Sequence, residues 1–472
     1  MTSATTSAMT STMRSSTTSG QRTAFDAVIV GAGLAGSAAA IQLARAGWAV
    51  ALIERQQFPR RKVCGECLSA SNLPWLQWLG VGDAFHARAG PELRHVTLWQ
   101  GDTAVTAPLP PAGHGHGQNH NHDPTHNNPW AWGRALGRET LDGLLLEQAR
   151  AAGATVFQPW AVQAIMGVPG AWHCELRAHE AKALLRLRAS VVIDAHGSWE
   201  DLPTDRPRRR LSRSAGDLFA FKANFTGASV PEGDIHVLAL NGGYGGMVVA
   251  DGGISTLACC IRRDRLSDLR LAAPGQRAGD AVQAWLLQEC AGVRRALQGA
   301  LRDANWITAG PLEPGVHLQA DDGIFRIGNA AGEAHPILGE GMSMALQSAA
   351  VLGSVLLGPS GTVPGAHQQG DLQRRYVAAW RQTFVPRLRL AAVFAHLAMR
   401  PRGAQALMKL AQLWPGLLTQ GARWGGKNRF ANAQSLPSTL PGRTATEFRP
   451  VAGLSPALAF APPTTRPHKE PS

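Results

Sequence analysis

The hydrophobic pattern near the beginning of the chain predicts a complete βαβ unit. An apolar run at residues 25–30 is followed by a glycine-rich turn and then by small and aliphatic residues at 34–46. A second apolar run at 48–53 ends in Glu54. Short apolar runs of this kind are typical of buried parallel strands, and the segment between them is long enough for a crossover helix.

Later segments predict a second sheet and a helical end. Between residues 219 and 260 apolar runs are broken by glycines, as in antiparallel strands. Residues 341–358 carry no charge, but their serine and glutamine side chains favour a buried helix over a membrane span. Helical periodicity continues over 372–418, where basic residues alternate with Leu, Phe and Met. That composition is typical of a helix at a membrane interface, although a helix packed on its own domain can have the same composition.

Composition narrows the class of protein. The 472 residues are 44% hydrophobic and 17% charged, which excludes a largely disordered chain. Six irregularly spaced cysteines give neither a disulfide framework nor a zinc site, so we expect a cytoplasmic protein, with peripheral membrane association as an alternative. The net charge of +13 favours anionic partners, including acyl thioesters, carrier proteins and anionic membranes. No nucleic-acid motif accompanies it.

Three segments are expected to lie outside the folded core. Residues 1–23 form a predicted disordered leader without the apolar stretch of a secretory signal, and 429–472 form a predicted disordered tail. Residues 113–128 are polar and contain five histidines, which predicts a surface loop. Such a loop could bind a divalent metal, but we predict no metal in the active site.

The turn after the first strand reads Gly31-Ala-Gly33-Leu-Ala-Gly36. Gly31 would permit the tight turn, Gly33 the approach of a pyrophosphate to the backbone, and Gly36 the close packing of helix on strand. Glu54, at the end of the next strand, would accept hydrogen bonds from a ribose. The unit therefore predicts a dinucleotide site without distinguishing FAD from NAD.

A second motif separates the two cofactors. Residues 325–342 include Gly328-Asn329, Pro336 and Gly339-Glu-Gly341. In this order they resemble the FAD-dependent oxidoreductases of the para-hydroxybenzoate hydroxylase fold. The resemblance implies that residue 329 binds the ribityl chain, that His335 and Pro336 lie beside the flavin ring, and that the next helix points at the pyrimidine carbonyls. Asn329 replaces the usual Asp, which exchanges a charge-assisted hydrogen bond for a neutral one.

Two further segments extend the resemblance. Cys64-Gly65-Glu66-Cys67 is similar to the Cys-Gly-Glu loop of geranylgeranyl-reductase-like flavoproteins, which implies that Cys64 lies near the ring. Taken alone, the CxxC could instead be a redox dithiol whose pKa is lowered by the neighbouring basic residues. Arg138 matches an Arg that contacts the cofactor in the family, although pairing with Asp142 one helical turn later is the structural alternative.

We therefore predict an α/β fold, with a doubly wound Rossmann-type FAD-binding domain, an inserted antiparallel β substrate domain and C-terminal helices. The predicted domain boundaries are 24–94, 130–205 and 305–360 for the FAD-binding domain, 95–129 and 206–304 for the substrate domain, and 361–428 for the helices. The predicted catalytic residues are Cys64, His335 and Pro336. The predicted cofactor-binding residues are Gly31, Gly33, Leu34, Ala35, Gly36, Glu54, Arg55, Arg61, Lys62, Gly65, Arg138, Asn329, Gly339, Gly341 and Met342.

The predicted function is that of an FAD-dependent monooxygenase that acts on a small hydrophobic, aromatic or polyketide-like molecule, with NAD(P)H as the reductant. A reductase or dehydrogenase of carbon–carbon double bonds is the alternative, and a non-catalytic flavin- or metal-binding protein is a more remote one. Two family motifs are absent. Trp130-Ala-Trp132-Gly133 lacks the Ile-Pro of the halogenases, and Tyr244-Gly-Gly-Met-Val-Val249 departs from the substrate motif of the prenyl reductases. Oligomeric state is not readable from the sequence.

Overall fold

The computed structural model describes residues 22–112, 130–179, 183–198, 202–204, 214–318 and 322–424. The predicted leader, histidine-rich loop and tail lie outside these residues, apart from two residues of the leader. The strands, in chain order, are β1 (Ala24–Val30), β2 (Val50–Ile53), β3 (Cys67–Leu68), β4 (His95–Gln100), β5 (Thr103–Pro108), β6 (Arg134–Ala135), β7 (Thr155–Phe157), β8 (Trp160–Val168), β9 (Ala171–Ala178), β10 (Leu184–Asp194), β11 (Leu218–Thr226), β12 (Asp234–Leu240), β13 (Gly243–Val249), β14 (Ser255–Arg262), β15 (Leu301–Arg302), β16 (Ile307–Leu312), β17 (Gly315–Val316), β18 (Phe325–Arg326) and β19 (Gly332–Glu333). The helices are α1 (Leu34–Arg45), α2 (Leu73–Leu79), α3 (Gly82–Arg88), α4 (Arg138–Ala151), α5 (Arg263–Ala272), α6 (Ala278–Glu289), α7 (Ala291–Ala296), α8 (Gly341–Leu357), α9 (Ala366–Ala398), α10 (Pro401–Leu413) and α11 (Gly416–Trp424).

The first sheet carries the βαβ unit. Its strand order is β7-β2-β1-β10-β9-β8, with β18 paired to β10. The strands β7, β2, β1, β10 and β18 run parallel, whereas β9 and β8 form an antiparallel extension. The side chains of β1 and β2 are almost all buried, as their apolar runs predict. Helices α1 and α8 pack against each other, and α8 is the uncharged buried helix that the sequence predicts.

The second sheet is antiparallel except where β12 pairs with β4. Its order is β15-β11-β14-β13-β12-β4-β5, and β16 also pairs with β11. Residues 307–312, which the sequence analysis assigned to the FAD-binding domain, therefore belong to this sheet. Backbone pairing between distant segments decides their place, and the apolar pattern of one short strand cannot indicate its partner.

The second sheet is covered on both faces. Helices α6 and α7 pack on one face around Trp99, Phe221 and Trp285. The end of α9 and the helix α10 pack on the other face, where Tyr244 and Met408 belong to the same hydrophobic cluster. The single helical stretch predicted for 372–418 is thus divided into three helices, with α10 beginning at a proline. None of the helices in the described ranges is long and apolar enough to cross a bilayer.

Candidate active site

The glycines after β1 shape the end of the parallel sheet. Gly31 has φ +102°, and a Cβ there would lie 2.5 Å from the carbonyl oxygen of Ala195. A Cβ at Gly36 would lie 1.8 Å from the carbonyl oxygen of Gly31, so α1 can approach β1 only because residue 36 has no side chain. At Gly33 the nearest atoms would be the Nη2 atoms of Arg60 and Arg138, both at 3.7 Å. The N-terminus of α1 is therefore accessible to a ligand, which satisfies the requirement for an anion site.

Glu54 secures this turn. Its Oε2 accepts a hydrogen bond from the backbone N–H of Ala32 at 3.1 Å, and its Oε1 accepts one from the N–H of Gln56 at 2.9 Å. The carboxylate is buried and lies 3.6 Å from Arg60. Glu54 thus holds the glycine turn in addition to any contact with a ribose.

Three basic side chains converge in front of the turn. Arg138 forms a bidentate pair with Asp142, with both hydrogen bonds 2.7 Å long, and Arg60 lies 3.7 Å from the same carboxylate. Lys62 is half-buried beside them. Burial and the positive charges of Arg138 and Arg60 lower the pKa of Lys62 to about 8. The cluster has more positive than negative charge, so it would gain from a bound pyrophosphate, which would raise this pKa again.

Arg138 pairs with Asp142, as the structural alternative predicts, and it also lines the cavity, where its contact with the cofactor stays a prediction. Its guanidinium also lies beside the thiol of Cys64. Cys64 and Cys67 are half-buried cysteines on the same loop, neither of them in a disulfide, and a Cβ at Gly65 between them would meet no atom within 4 Å. The loop backbone therefore borders open space, as a loop lying along a cofactor requires.

Glu66, in the middle of this loop, forms a buried ion pair that the sequence does not reveal. It is non-glycine yet has φ +59°, and it is 2% exposed. Its Oε1 accepts hydrogen bonds from the ammonium of Lys222 and from the backbone N–H of Arg138, while its Oε2 accepts one from the hydroxyl of Thr256 at 2.6 Å. Lys222 lies on β11 and Thr256 on β14, so Glu66 joins the cofactor loop to the second sheet.

The second motif forms another part of the cavity wall. The amide nitrogen of Asn329 donates to Ser198 at 2.8 Å and more weakly to Glu333 at 3.4 Å, which leaves its amide oxygen to accept from a ligand hydroxyl. Glu333 is buried, so an acid at position 329 would face a second carboxylate. A Cβ at Gly341 would meet no atom within 4 Å, and the N-terminus of α8 is therefore open as well.

The structure brings most of the predicted residues to one cavity, with a volume of about 350 Å³. Those that line it are Gly33, Leu34, Ala35, Lys62, Cys64, Gly65, Arg138, Asn329, Pro336, Gly339, Gly341 and Met342. Gly31, Gly36 and Glu54 shape the turn behind it. Arg55 is exposed at the surface, and the guanidinium of Arg61 donates to the carbonyl of Asn305 at 3.3 Å, so the cavity lining includes neither residue.

His335 does not line the cavity either. Its ring is buried behind Tyr244, whose hydroxyl lies 3.4 Å from His335 Nδ1 and which itself faces the cavity. Burial and the neighbouring His396 lower the pKa of His335 to about 4. Sequence reasoning missed Tyr244 as a site residue, because its only signal was a tyrosine within a glycine-rich strand.

Beyond the cofactor end the cavity becomes apolar. The second sheet contributes side chains such as Leu98, Val237 and Met247, and the C-terminal helices contribute Phe394 and Leu418. The described residues contain no group of three or more His, Cys, Asp or Glu side chains that could hold a metal ion. One continuous space therefore joins an anion-binding, glycine-lined end to an apolar chamber. This fits a dinucleotide with a flat ring system placed against a hydrophobic ligand.

We expect a Glu54→Ala variant to bind FAD about 1–3 kcal/mol more weakly, because the buried N–H of Ala32 and the ribose would both lose their acceptor. Titration of apoprotein with FAD, followed by flavin fluorescence, measures the change. Glu147→Ala removes an exposed carboxylate and serves as the matched control. Equal affinity in the wild type and the Glu54→Ala variant would contradict the assignment of Glu54.

A protein-family model described as "FAD binding domain" matches residues 24–255. A menaquinone reductase of Mycolicibacterium smegmatis is 47% identical over 66 residues, which is 14% of this chain and 16% of that protein. A squalene epoxidase of Schizosaccharomyces pombe is 30% identical over 90 residues, which is 19% of this chain and 20% of that protein. The alignments thus span about a fifth or less of these relatives.

Solved structures match over most of the chain. The flavin-dependent brominase Bmp2 aligns with a TM-score of 0.63 and 18% identity, over 86% of this chain and 94% of that one. A probable FAD-dependent monooxygenase from Pseudomonas aeruginosa aligns with a TM-score of 0.59 and 15% identity, over 82% of this chain and 100% of that one. The family model confirms the predicted FAD cofactor, and these likenesses confirm the predicted fold. Residues 24–255 belong to the family of FAD-binding domains, and the chain has the fold shared by FAD-dependent monooxygenases and halogenases.

Proposed function

We propose that the protein is an FAD-dependent oxidoreductase, and most specifically a monooxygenase that acts on a small hydrophobic molecule, aromatic or polyketide-like, with NAD(P)H as the reductant. The observation that carries the proposal is the single cavity that runs from the N-termini of α1 and α8 into an apolar chamber. Bound FAD would supply hydride and oxygen chemistry that side chains cannot perform. The chain's own residues bind the cofactor, orient the substrate and exclude water.

The residues divide this work by position. Lys62, Arg60 and Arg138 would hold the pyrophosphate at the N-terminus of α1. Asn329 would accept a hydrogen bond from the ribityl chain through its amide oxygen. Pro336 and Cys64 line the cavity between the two ends, and the apolar walls beyond them would keep bulk water from the reacting centre.

A reductase is the second candidate, because the chain shares 47% identity over 66 residues with a protein named menaquinone reductase. In this case the substrate would be a lipophilic quinone or another molecule with a conjugated carbon–carbon double bond. Halogenation is disfavoured, since the Trp-x-Trp segment at 130–132 lacks the Ile-Pro that follows it in halogenases.

Oxygen consumption separates the two candidates. We expect the purified, FAD-loaded protein to oxidise NADH or NADPH faster when a hydrophobic substrate is present. A monooxygenase would consume one O₂ per NAD(P)H, whereas a quinone reductase would turn over menadione equally well without oxygen. A protein whose NAD(P)H oxidation responds to neither a lipid extract nor menadione would contradict both candidates.

We further propose that the protein associates peripherally with anionic membranes through the surface formed by the end of α9, α10 and α11. Exposed apolar side chains are concentrated there. Leu413 is 85% exposed and Trp414 59%, and Val393, Leu410 and Trp424 are exposed nearby. The opposite face of these helices lines the apolar chamber.

The charge of these helices also supports this surface as the membrane-binding one. Between Asp371 and Glu447 the sequence has no acidic residue, whereas residues 372–424 contain nine Lys and Arg. Basic side chains next to exposed Leu and Trp are typical of helices that lie in a lipid headgroup region. A lipid-dissolved substrate would then reach the chamber without crossing water, which suits the hydrophobic substrate that we propose.

Liposome sedimentation tests this surface. We expect binding to anionic vesicles at 0.1 M salt and weaker binding at 1 M, where the Debye length falls from about 10 Å to about 3 Å. The double variant Leu413→Gln, Trp414→Gln should bind at least about tenfold more weakly, because burial of each side chain contributes roughly 1.5–3 kcal/mol. Leu271→Gln, at a leucine that is 79% exposed elsewhere, is the control. Wild-type protein that stays in the supernatant at low salt would contradict this proposal.

A further inference from the structure

Tyr244 places a phenolic hydroxyl at the boundary between the cavity and the protein interior. It lies on β13, is 1% exposed and lines the cavity. Its hydroxyl is near two groups, the Nδ1 atom of His335 at 3.4 Å and the thiol of Cys260. Burial, the foremost cause, and the neighbouring Cys260 and Glu333 hold the pKa of Tyr244 well above its usual value, so it remains protonated at neutral pH.

A second histidine, His396, extends the pair of Tyr244 and His335 toward solvent. The ring of His396 lies 5.6 Å from that of His335, at an interplanar angle of 75°. His396 is exposed on α9, and its Nδ1 lies 2.7 Å from the carbonyl oxygen of Ala392. A carbonyl only accepts hydrogen bonds, so Nδ1 carries the hydrogen and Nε2 is the atom that can take up a proton.

The arrangement exceeds what packing requires. A buried tyrosine hydroxyl needs one hydrogen-bond partner, and His335 or Cys260 would suffice. A neutral imidazole has one donor and one acceptor nitrogen, and the lowered pKa of His335 keeps it neutral. His335 can therefore pass a proton from one ring nitrogen to the other without remaining charged in a buried position.

We propose that Tyr244, His335 and His396 form a proton relay between the substrate chamber and solvent. The proposal deepens the reductase function, the second candidate above, and rests on it. Reduction of a quinone or of a conjugated double bond transfers a hydride, ultimately from NAD(P)H, and also requires a proton. The Tyr244 O–H bond breaks as its proton moves to the substrate. The proton on His335 Nδ1 then moves to the Tyr244 oxygen, and a protonated His396 gives a new proton to His335 Nε2. The net result is the transfer of one proton from solvent to the substrate.

Two titratable groups outside the relay, Cys260 and Glu333, would shape its pH dependence together with the relay's own members. Tyr244 faces His335 from β13, and Cys260 contacts Tyr244 from β14. Glu333, on β19, acts electrostatically on both Tyr244 and Cys260. His396 faces His335 from α9 and disfavours its charged form.

The first test needs no turnover. Titration of ¹⁵N-labelled histidines by NMR in the FAD-loaded protein should show that His396→Gln raises the pKa of His335, because a neighbouring positive charge is lost. His396 is exposed, so this variant should fold. His173→Gln, at an exposed histidine on β9, should leave the titration of His335 unchanged. A His335 titration that is identical with and without His396 would overturn the relay.

The second test follows menadione reduction by NADPH across a range of pH values. We expect Tyr244→Phe and His335→Gln to lower kcat by roughly 10²-fold, with a changed pH profile, as for loss of a general acid. His396→Gln should lower kcat less and reduce the solvent isotope effect, while His173→Gln behaves as the wild type. An active wild type whose Tyr244→Phe variant keeps full kcat would overturn the relay. A wild type without turnover would count against the reductase function, and the NMR titration would then decide the relay alone.

Discussion

A Gly36→Ala variant should purify with little or no FAD and with a lowered Tm. The added Cβ would lie 1.8 Å from the carbonyl oxygen of Gly31 and 3.1 Å from the Cβ of Ala195. The first of these is a backbone atom, so α1 must move away from β1. This movement would disrupt the pyrophosphate-binding site at the N-terminus of α1. Overpacking of this kind costs about 1–3 kcal/mol or more of the free energy of unfolding.

The flavin-to-protein ratio after dialysis and the Tm measure both effects. Gly143→Ala is the matched control. Gly143 lies on α4, and a Cβ there would meet no atom within 4 Å. Since alanine favours helix over glycine by about 1 kcal/mol, this variant should keep its FAD and be as stable as the wild type or slightly more stable. Wild-type FAD content in the Gly36→Ala variant would show that the turn is not the pyrophosphate site.

Lys222→Met should produce the largest loss of stability among the single substitutions discussed. The change leaves the carboxylate of Glu66 buried, with the Arg138 N–H and the Thr256 hydroxyl as its remaining partners. Breaking a buried ion pair by removing one partner typically costs about 3–5 kcal/mol of the free energy of unfolding. We also expect weaker FAD binding, because Glu66 fixes the loop that carries Cys64 and Gly65.

Chemical denaturation of the FAD-loaded protein measures this loss, and a second variant separates charge from packing. Adding Glu66→Gln to Lys222→Met removes the uncompensated charge, so the double variant should recover part of the stability. Arg270→Met, at an exposed basic residue on α5, should change the free energy of unfolding by less than about 0.5 kcal/mol. A Lys222→Met variant as stable as this control would contradict the buried ion pair.

Features that depend on neighbouring residues could be predicted from the sequence. The βαβ unit, its three glycines and Glu54 lie within about thirty residues of one another, and local periodicity together with one acid identifies them. The buried helix α8 could also be predicted, because a run of residues without charge is itself a local signal. The resemblance of residues 325–342 to known flavoproteins supplied the choice of FAD over NAD.

Features that depend on pairing across the chain could not be predicted. Glu66 and Lys222 are 156 residues apart, and Tyr244 and His335 are 91 apart. An isolated lysine in a strand carries no sign that it is buried, and a tyrosine among glycines carries no sign of its partner. The same limit explains the misplaced β16. Arg55 and Arg61, which are predicted to bind the cofactor, are absent from the cavity lining, and basic residues next to a motif can face either way.

Reduction of the bound flavin tests the central claim most directly. The purified protein, mixed anaerobically with NADH or NADPH, is followed by the visible absorbance of the flavin, with and without a hydrophobic extract. We predict about one FAD per chain, bleaching of the flavin by one of the two nucleotides, and a return of colour when oxygen and the extract or menadione are added. A protein that neither carries nor takes up FAD, or whose flavin stays oxidised with both nucleotides, would contradict the account.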